Sequence, residues 1–171
     1  NMVKNSPGFA NKKSTIVYNP QWHKGVVGIV ASRLVEAFYR PTIVLTQSNG
    51  FITGSARSIT GFDLYAAIEH CSEYLENFGG HMYAAGLTMK EENLEAFCTK
   101  FEDYVVSKIT DELLVPLVNI DSYLDFKQIT PKFFRLLKQF QPFGPGNQSP
   151  VFITENVYDN GNGRKVGSDN G

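Results

Sequence analysis

Hydrophobic positions along the first part of the chain recur with two different periods. Short β-branched apolar runs at residues 14–18 and 42–46 predict buried strands, and the alternating run 51–57 predicts a third. Between the first two, apolar residues recur over 25–39 broadly enough for a helix buried on most sides. A strand, a helix and a strand in this order predict a parallel strand pair joined by a helical crossover.

Turn and capping signals divide the following segment. The run Ser48-Asn49-Gly50 predicts a hairpin between the second and third strands. Asp63 is suited to cap a helix that begins at Leu64 and extends to about Asn77. The pair Gly79-Gly80 then predicts the end of that helix. A short helical turn over 81–85, a strand over 86–89 and an amphipathic helix over 91–109 are expected next.

The pattern changes after residue 114. Strands are predicted at 116–121, 123–126 and 151–157, and Thr130-Pro131 predicts a helix that ends near Phe140. Too few residues follow for a closed five-stranded barrel. We therefore expect residues 1–14 to be a linker or a disordered N-terminus, 15–114 to form a first domain of the α/β class, and 115–171 to begin a second, truncated domain.

Composition and charge restrict the function. The net charge of −1 argues against a protein that coats nucleic acid by bulk electrostatics, although a cleft with a few cations stays possible. No apolar run reaches the roughly 20 residues of a membrane span, and two cysteines fit a reduced cytoplasmic protein. Three histidines without clustered acids predict no metal site, and no nucleophile triad is evident. These features indicate the ligand-binding part of a larger protein.

Two segments are candidates for binding an anion. Gly79-Gly80-His81 would let the backbone approach a phosphate, with free N–H groups at the start of a helical turn and an imidazole beside them. The alternative is a helix end followed by a tight turn. Ser55, Arg57 and Ser58 combine a guanidinium fork with small hydroxyls, which suits a phosphate. The alternative there is an exposed arginine in an ordinary hairpin.

Two further segments carry weaker signals. Trp22 and His23 lie at a strand-to-helix junction, where α/β folds bind ligands, but packing is the alternative. The rigid loop 142–147 is typical of a connector. The basic residues near that loop predict a solvated helix face, and the alternative is a surface that binds nucleic acid. These residues are Lys127, Lys132, Arg135 and Lys138.

Taken in order, these segments resemble RecJ exonucleases of the DHH phosphoesterase superfamily. Residues 22–34, WHKGVVGIVASRL, are similar to the start of the family's DHH-associated domain. Residues 54–58 (GSARS) and 79–86 (GGHMYAAG) are similar to its two substrate-side signatures. The run 142–147 (PFGPGN), followed by Pro150-Val151-Phe152, is similar to the segment that leads into the RecJ OB-fold domain.

The resemblance implies a mixed sheet with flanking helices followed by a partial OB-like β segment. It also implies a 5′→3′ exonuclease for single-stranded DNA in recombination and repair. Mn²⁺ or Mg²⁺ would be held by an N-terminal DHH domain in cis that these residues lack, so the chain alone should be inactive. Ser55, Arg57, Ser58 and the 79–81 segment would bind phosphates, and Trp22 and His23 would line the cleft.

Two alternatives stay open at this point. The first is a DHH-family phosphodiesterase of short oligonucleotides or cyclic dinucleotides, against which residues 115–171 count. The second is a nucleic-acid-binding module without enzymatic activity, against which the Trp-His and Ser-Ala-Arg-Ser segments count.

Overall fold

A five-stranded sheet forms the centre of the first part of the chain. The computed structural model describes residues 11–144 and 146–163. The sheet has the order β1-β2-β3-β5-β4, and only the β1–β2 pair is parallel. This confirms the crossover, the hairpin and the mixed sheet. The strands are β1 (Thr15–Tyr18), β2 (Thr42–Ser48), β3 (Phe51–Arg57), β4 (Asn77–His81) and β5 (Ala84–Met89).

Three helices cover this sheet, one on one face and two on the other. Helix α1 (Val27–Phe38) is the crossover between β1 and β2 and follows a 3₁₀ turn at Lys24–Val26. Helix α2 (Leu64–His70) is capped by Asp63, whose carboxylate accepts from the Ala66 N–H at 3.0 Å. Helix α3 (Leu94–Lys108) packs beside α2.

The main core lies between the sheet and the helices α2 and α3. Phe97 and Phe101 of α3 are fully buried, with ring centroids 5.9 Å apart. A smaller cluster of Val27, Ala31 and Val44 lies under α1. The prediction that α1 is buried on most sides was wrong, because only its sheet-facing side is covered in the described residues. Ile29, on another side of α1, is 65% exposed.

The segment around the glycine pair departs from the prediction. The helix ends at His70, a 3₁₀ turn occupies Ser72–Tyr74, and Gly79-Gly80 lies inside β4. The predicted helical turn at 81–85 is also wrong, because Met82 and Tyr83 form the tip of the β4–β5 hairpin. Pairing with β5 satisfies the backbone groups of β4 that face it, and this outweighs the local preference of two glycines for a loop.

Residues 13 and 14, at the end of the predicted linker, are tied to α3. The Glu102 carboxylate accepts from the Lys13 N–H at 2.7 Å, from the Ser14 N–H at 3.1 Å and from the Ser14 hydroxyl. The Lys13 ammonium contacts Asp111 at 2.8 Å, and this hydrogen bond lowers the pKa of the Asp111 carboxyl. Residues 1–10 of that prediction lie outside the described residues.

The chain divides between Pro116 and Leu117 into two compact units. In the second unit, β6 (Ser122–Tyr123) pairs in parallel with β7 (Phe152–Ile153). Helix α4 (Pro131–Lys138) begins as predicted, with Thr130 as its cap and Pro131 at its first position. The strand predicted at 116–121 is absent and those at 123–126 and 151–157 are far shorter, because the apolar side chains there find little cover; Leu117, for example, is 82% exposed.

The loop after α4 is built as a connector. The Asn147 side-chain amide donates to the Phe140 carbonyl at 2.7 Å and to the Pro142 carbonyl at 2.9 Å. One side chain therefore holds both ends of the turn, which agrees with the structural interpretation of this loop.

Candidate functional site

Among residues 11–116, the α1 side of the sheet is only partly covered. Helix α1 lies over β2 and β3, while Gly79 and Gly86 of the two neighbouring strands are exposed. We call the part of this side formed by β5, β4 and the Ser55–Arg57 end of β3, which borders α1, the open face. Strand register places two rows of residues across it. These rows are Arg57–Ala84–His81 and Ser55–Gly86–Gly79.

Arg57 is held at one edge of its guanidinium. Its Nη1 donates to the Ser55 hydroxyl and to the Ala56 carbonyl, both at 2.8 Å. No carboxylate among the described residues forms an ion pair with it. Since a guanidinium has five N–H donors, about three stay available for an anion. The group is half-buried and pre-oriented, which is the state that favours bidentate recognition of a phosphate.

His81 is the last residue of β4 and is exposed. Its Nδ1 accepts from the Tyr83 N–H at 3.2 Å, so in the neutral ring the proton resides on Nε2, which can donate to a ligand. One strand separates His81 from Arg57, which places their backbones roughly 10 Å apart. The two residues therefore belong to one row on one face.

The hairpin tip beside His81 is attached to the segment that follows Arg57. The Ser58 N–H donates to the Tyr83 carbonyl at 3.0 Å, and the Leu64 N–H donates to the Met82 carbonyl at 3.1 Å. These bonds fix the end of β4 relative to the end of β3. The geometry between Arg57 and His81 is thus set by backbone contacts rather than by side chains.

Of the other residues predicted in these two segments, Ser58 and Gly80 have structural contacts and Gly79 does not. The Ser58 hydroxyl donates to the Phe62 carbonyl at 2.8 Å, which closes the loop before α2. The φ angle of Gly80 is +151°, and a Cβ on Gly80 would lie 2.3 Å from the Ala84 carbonyl oxygen. Gly80 therefore shapes the strand, whereas Gly79 stands on the open face, where an added Cβ would have no atom within 4 Å.

Trp22 and His23 lie before α1. Trp22 packs against the small cluster under α1, and its carbonyl accepts from the Thr46 hydroxyl at 2.6 Å. This favours packing as its role. His23 is exposed, and its Nδ1 accepts from the Gly25 N–H at 3.1 Å, the same local arrangement as in His81. No contact joins His23 to Arg57 in the described residues.

One residue of the 22–34 segment that was not predicted as a site residue lies directly against the site. A Cβ on Gly28 of α1 would be 3.0 Å from Arg57 Nη2 and 3.3 Å from Ser55 Oγ. The available signal was the spacing of Gly28 and Ala31, which puts two small residues on one side of the helix. That spacing predicts a close approach to the sheet, but it does not identify the side chain that is approached.

Metal ligands and membrane segments can be assessed only for residues 11–144 and 146–163. Within these ranges, no three His, Cys, Asp or Glu side chains cluster in a way that could hold a metal ion. Within the same ranges, every helix is too short or too polar to cross a bilayer.

Comparison with known proteins matches both units to described families. Residues 11–107 match the DHHA1 domain, and residues 120–171 match the RecJ OB domain. The chain is 36% identical over 149 residues to the single-stranded-DNA-specific exonuclease RecJ of Bacillus subtilis (strain 168). That alignment covers 86% of this chain and 19% of the relative, so the chain spans about a fifth of its length.

Solved structures of RecJ from Thermus thermophilus have the same fold. The complex with Mn²⁺ matches with a TM-score of 0.77 and 32% identity, covering 90% of this chain and 22% of the other. The complex with Mg²⁺ matches with a TM-score of 0.72 and 34% identity, covering 82% and 22%. Residues 11–107, which hold the open face, are more than half of the chain, and the chain therefore belongs to the DHHA1 domain family, in the RecJ arrangement in which an OB domain follows.

Proposed function

We propose that this chain is the phosphate-binding wall of a 5′→3′ exonuclease for single-stranded DNA that acts in recombination and repair. The observation that carries the proposal is the open face, where Arg57, with Ser55 at its edge, and His81 stand in one row beside bare backbone. The names of the relatives, single-stranded-DNA-specific exonucleases, agree with such a ligand.

The donors of the open face suit a phosphodiester. Arg57 offers its free N–H groups as a fork, and His81 offers Nε2–H about two strand spacings away. Such donors hold a phosphate in one orientation, and fixed orientation lowers the entropy cost of attack on the phosphorus. The sheet itself keeps the donors rigid, because both strands are tied to the same loop.

The metal chemistry is assigned to another part of the longer protein. The solved RecJ structures from Thermus thermophilus are complexes with Mg²⁺ and Mn²⁺. In this proposal, such an ion would be held by a DHH domain in cis. That ion would activate water and stabilise charge on the phosphoryl group. Residues 117–171 would guide the single strand through an OB-like surface.

The proposal is tested by Arg57→Ala in the intact exonuclease that carries this chain. Loss of a charged hydrogen bond costs about 1.5–3 kcal/mol, so kcat/KM on 5′-phosphorylated single-stranded DNA should fall by roughly 10- to 100-fold. Arg33→Ala is the matched control, because Arg33 is an exposed α1 residue that pairs with Glu36. Wild-type kinetics for Arg57→Ala would exclude the proposal.

A second test concerns the 171-residue chain alone. It should release no nucleotides from 5′-labelled single-stranded DNA in the presence of Mn²⁺, because its described part holds no metal cluster. Nucleotide release that disappears on substitution of a residue in this chain would contradict the assignment of the metal to another domain.

A further inference from the structure

Gly28 occupies the first turn of α1, at the point where this helix lies against β3. Its backbone angles are those of an ordinary helical residue, since it is absent from the residues with positive φ. Glycine is less favourable than alanine in a helix, by up to about 1 kcal/mol, the full value applying to interior positions. The backbone therefore gives no reason for a glycine here, and the reason must be found in what the position faces.

The position faces the guanidinium of Arg57. A Cβ at Gly28 would come within 3.0 Å of Nη2 and 3.3 Å of the Ser55 hydroxyl, distances at which a neighbour must yield by a few tenths of an ångström. Ala31, three residues further and fully buried, continues the close contact of α1 with the sheet. The two small residues allow the helix backbone to form one wall of a slot.

The Arg57 side chain lies in this slot. Ser55 and the Ala56 carbonyl hold Nη1, and α1 at Gly28 stands beside Nη2. The slot limits the directions in which the remaining N–H groups can point, and this matters because bidentate contact with a phosphate depends on angle. A longer side chain at position 28 would turn the fork.

We infer that Gly28 is a positioning residue, whose missing side chain aligns Arg57 toward the phosphate; this rests on the phosphate-binding role proposed above. The structure also predicts opposite effects on stability and binding. The atom nearest to a new methyl group is the far end of a flexible side chain, so α1 need not move. Gly28→Ala should then stabilise the fold, through better helix propensity, and weaken phosphate binding.

The experiment uses the 171-residue chain and a 5′-phosphorylated oligothymidylate, titrated by NMR up to millimolar concentration. Affinity and melting temperature are measured for Gly28→Ala, Arg57→Ala and the double variant. Gly28→Ala should weaken binding about 3- to 10-fold, as expected for contacting residues, with an unchanged or higher melting temperature. In the Arg57→Ala background, the same change should have no further effect. The Nε–Hε resonance of Arg57 should also shift in Gly28→Ala.

Ala37→Gly is the reciprocal control, because Ala37 is an exposed α1 residue. It should lower the melting temperature and leave the affinity unchanged. If wild type does not bind, or if Arg57→Ala binds as wild type does, the proposed phosphate role fails and the inference fails with it. If Arg57→Ala weakens binding but Gly28→Ala does not, or if the two losses add in the double variant, Gly28 has no positioning role and the phosphate role stands.

Discussion

The two faces of the five-stranded sheet are used differently. The face toward α2 and α3 carries large side chains such as Ile43, Ile52 and Met89, all fully buried. Within residues 11–116, the opposite face is covered by α1 over β2 and β3, with Arg57 at the border of that cover, and β5 and β4 beyond it present bare glycine and His81. Alternation along each strand thus places the large buried residues on one side and the candidate binding residues on the other. Substitutions on the two faces should separate these properties.

The largest effect on stability is expected on the face of the sheet that packs against α2 and α3. Phe101→Ala removes a fully buried ring that stacks on Phe97, and such truncations destabilise proteins by about 3–5 kcal/mol. Equilibrium unfolding in urea measures this loss. A loss below about 1 kcal/mol would show that this face is not the main source of stability.

The adjacent glycines Gly79 and Gly80 in β4 lie on opposite faces of the sheet and offer a matched test of the two faces. Gly80→Ala places a methyl group against the Ala84 carbonyl at a positive φ, which should destabilise the fold by about 1–3 kcal/mol or more. Gly79→Ala meets open space and should change stability by less than about 0.5 kcal/mol. Thermal unfolding distinguishes the two variants, and equal losses would contradict the assignment of Gly79 to the open face.

On the open face, Arg57→Ala should change the free energy of unfolding by about 0.5 kcal/mol or less, because its hydrogen bonds are to a hydroxyl and a carbonyl that solvent can replace. Circular dichroism during urea unfolding tests this, together with the binding loss expected above. Substantial destabilisation would mean that Arg57 serves the fold, and its kinetic effect would then need another explanation.

The smallest effect is expected for the cysteines. Burial raises the pKa of the Cys71 thiol and of the Cys98 thiol to about 11, so both stay protonated at neutral pH. Because only the thiolate reacts readily, labelling by a disulfide reagent at pH 7.5 should be negligible in the folded chain. Both cysteines should react once the chain is unfolded in urea. Rapid labelling of native Cys71 would indicate that the α2–α3 side opens.

The elements predicted correctly are those whose signal is local. The β-branched runs of β1 and β2, the capping Asp63 and the Thr130-Pro131 pair each determine structure through their immediate neighbours. Strand β4 was missed because its sequence, NFGGH, has the local preferences of a loop. It becomes a strand only because β5 presents a partner, which is information from tertiary structure.

The candidate site was predictable to a similar degree. Ser55 and Arg57 are two positions apart on one strand, so their shared side follows from the sequence. That His81 stands in the row of Arg57 depends on how β4 pairs with β5, and the contact of Gly28 with Arg57 depends on helix packing. Neither follows from local spacing, and a DHHA1 resemblance identifies the segments without giving these distances.

The tie between the hairpin tip and the segment after β3 also provides a reporter of local opening. The amide protons of Ser58 and Leu64 lie outside the strands, yet each is bonded to a carbonyl of the tip. Their exchange with deuterated solvent therefore requires the tip to detach, which would carry His81 away from Arg57. Slow exchange at these two amides measures how rarely the two halves of the site separate, and a bound anion that bridges them should slow it further.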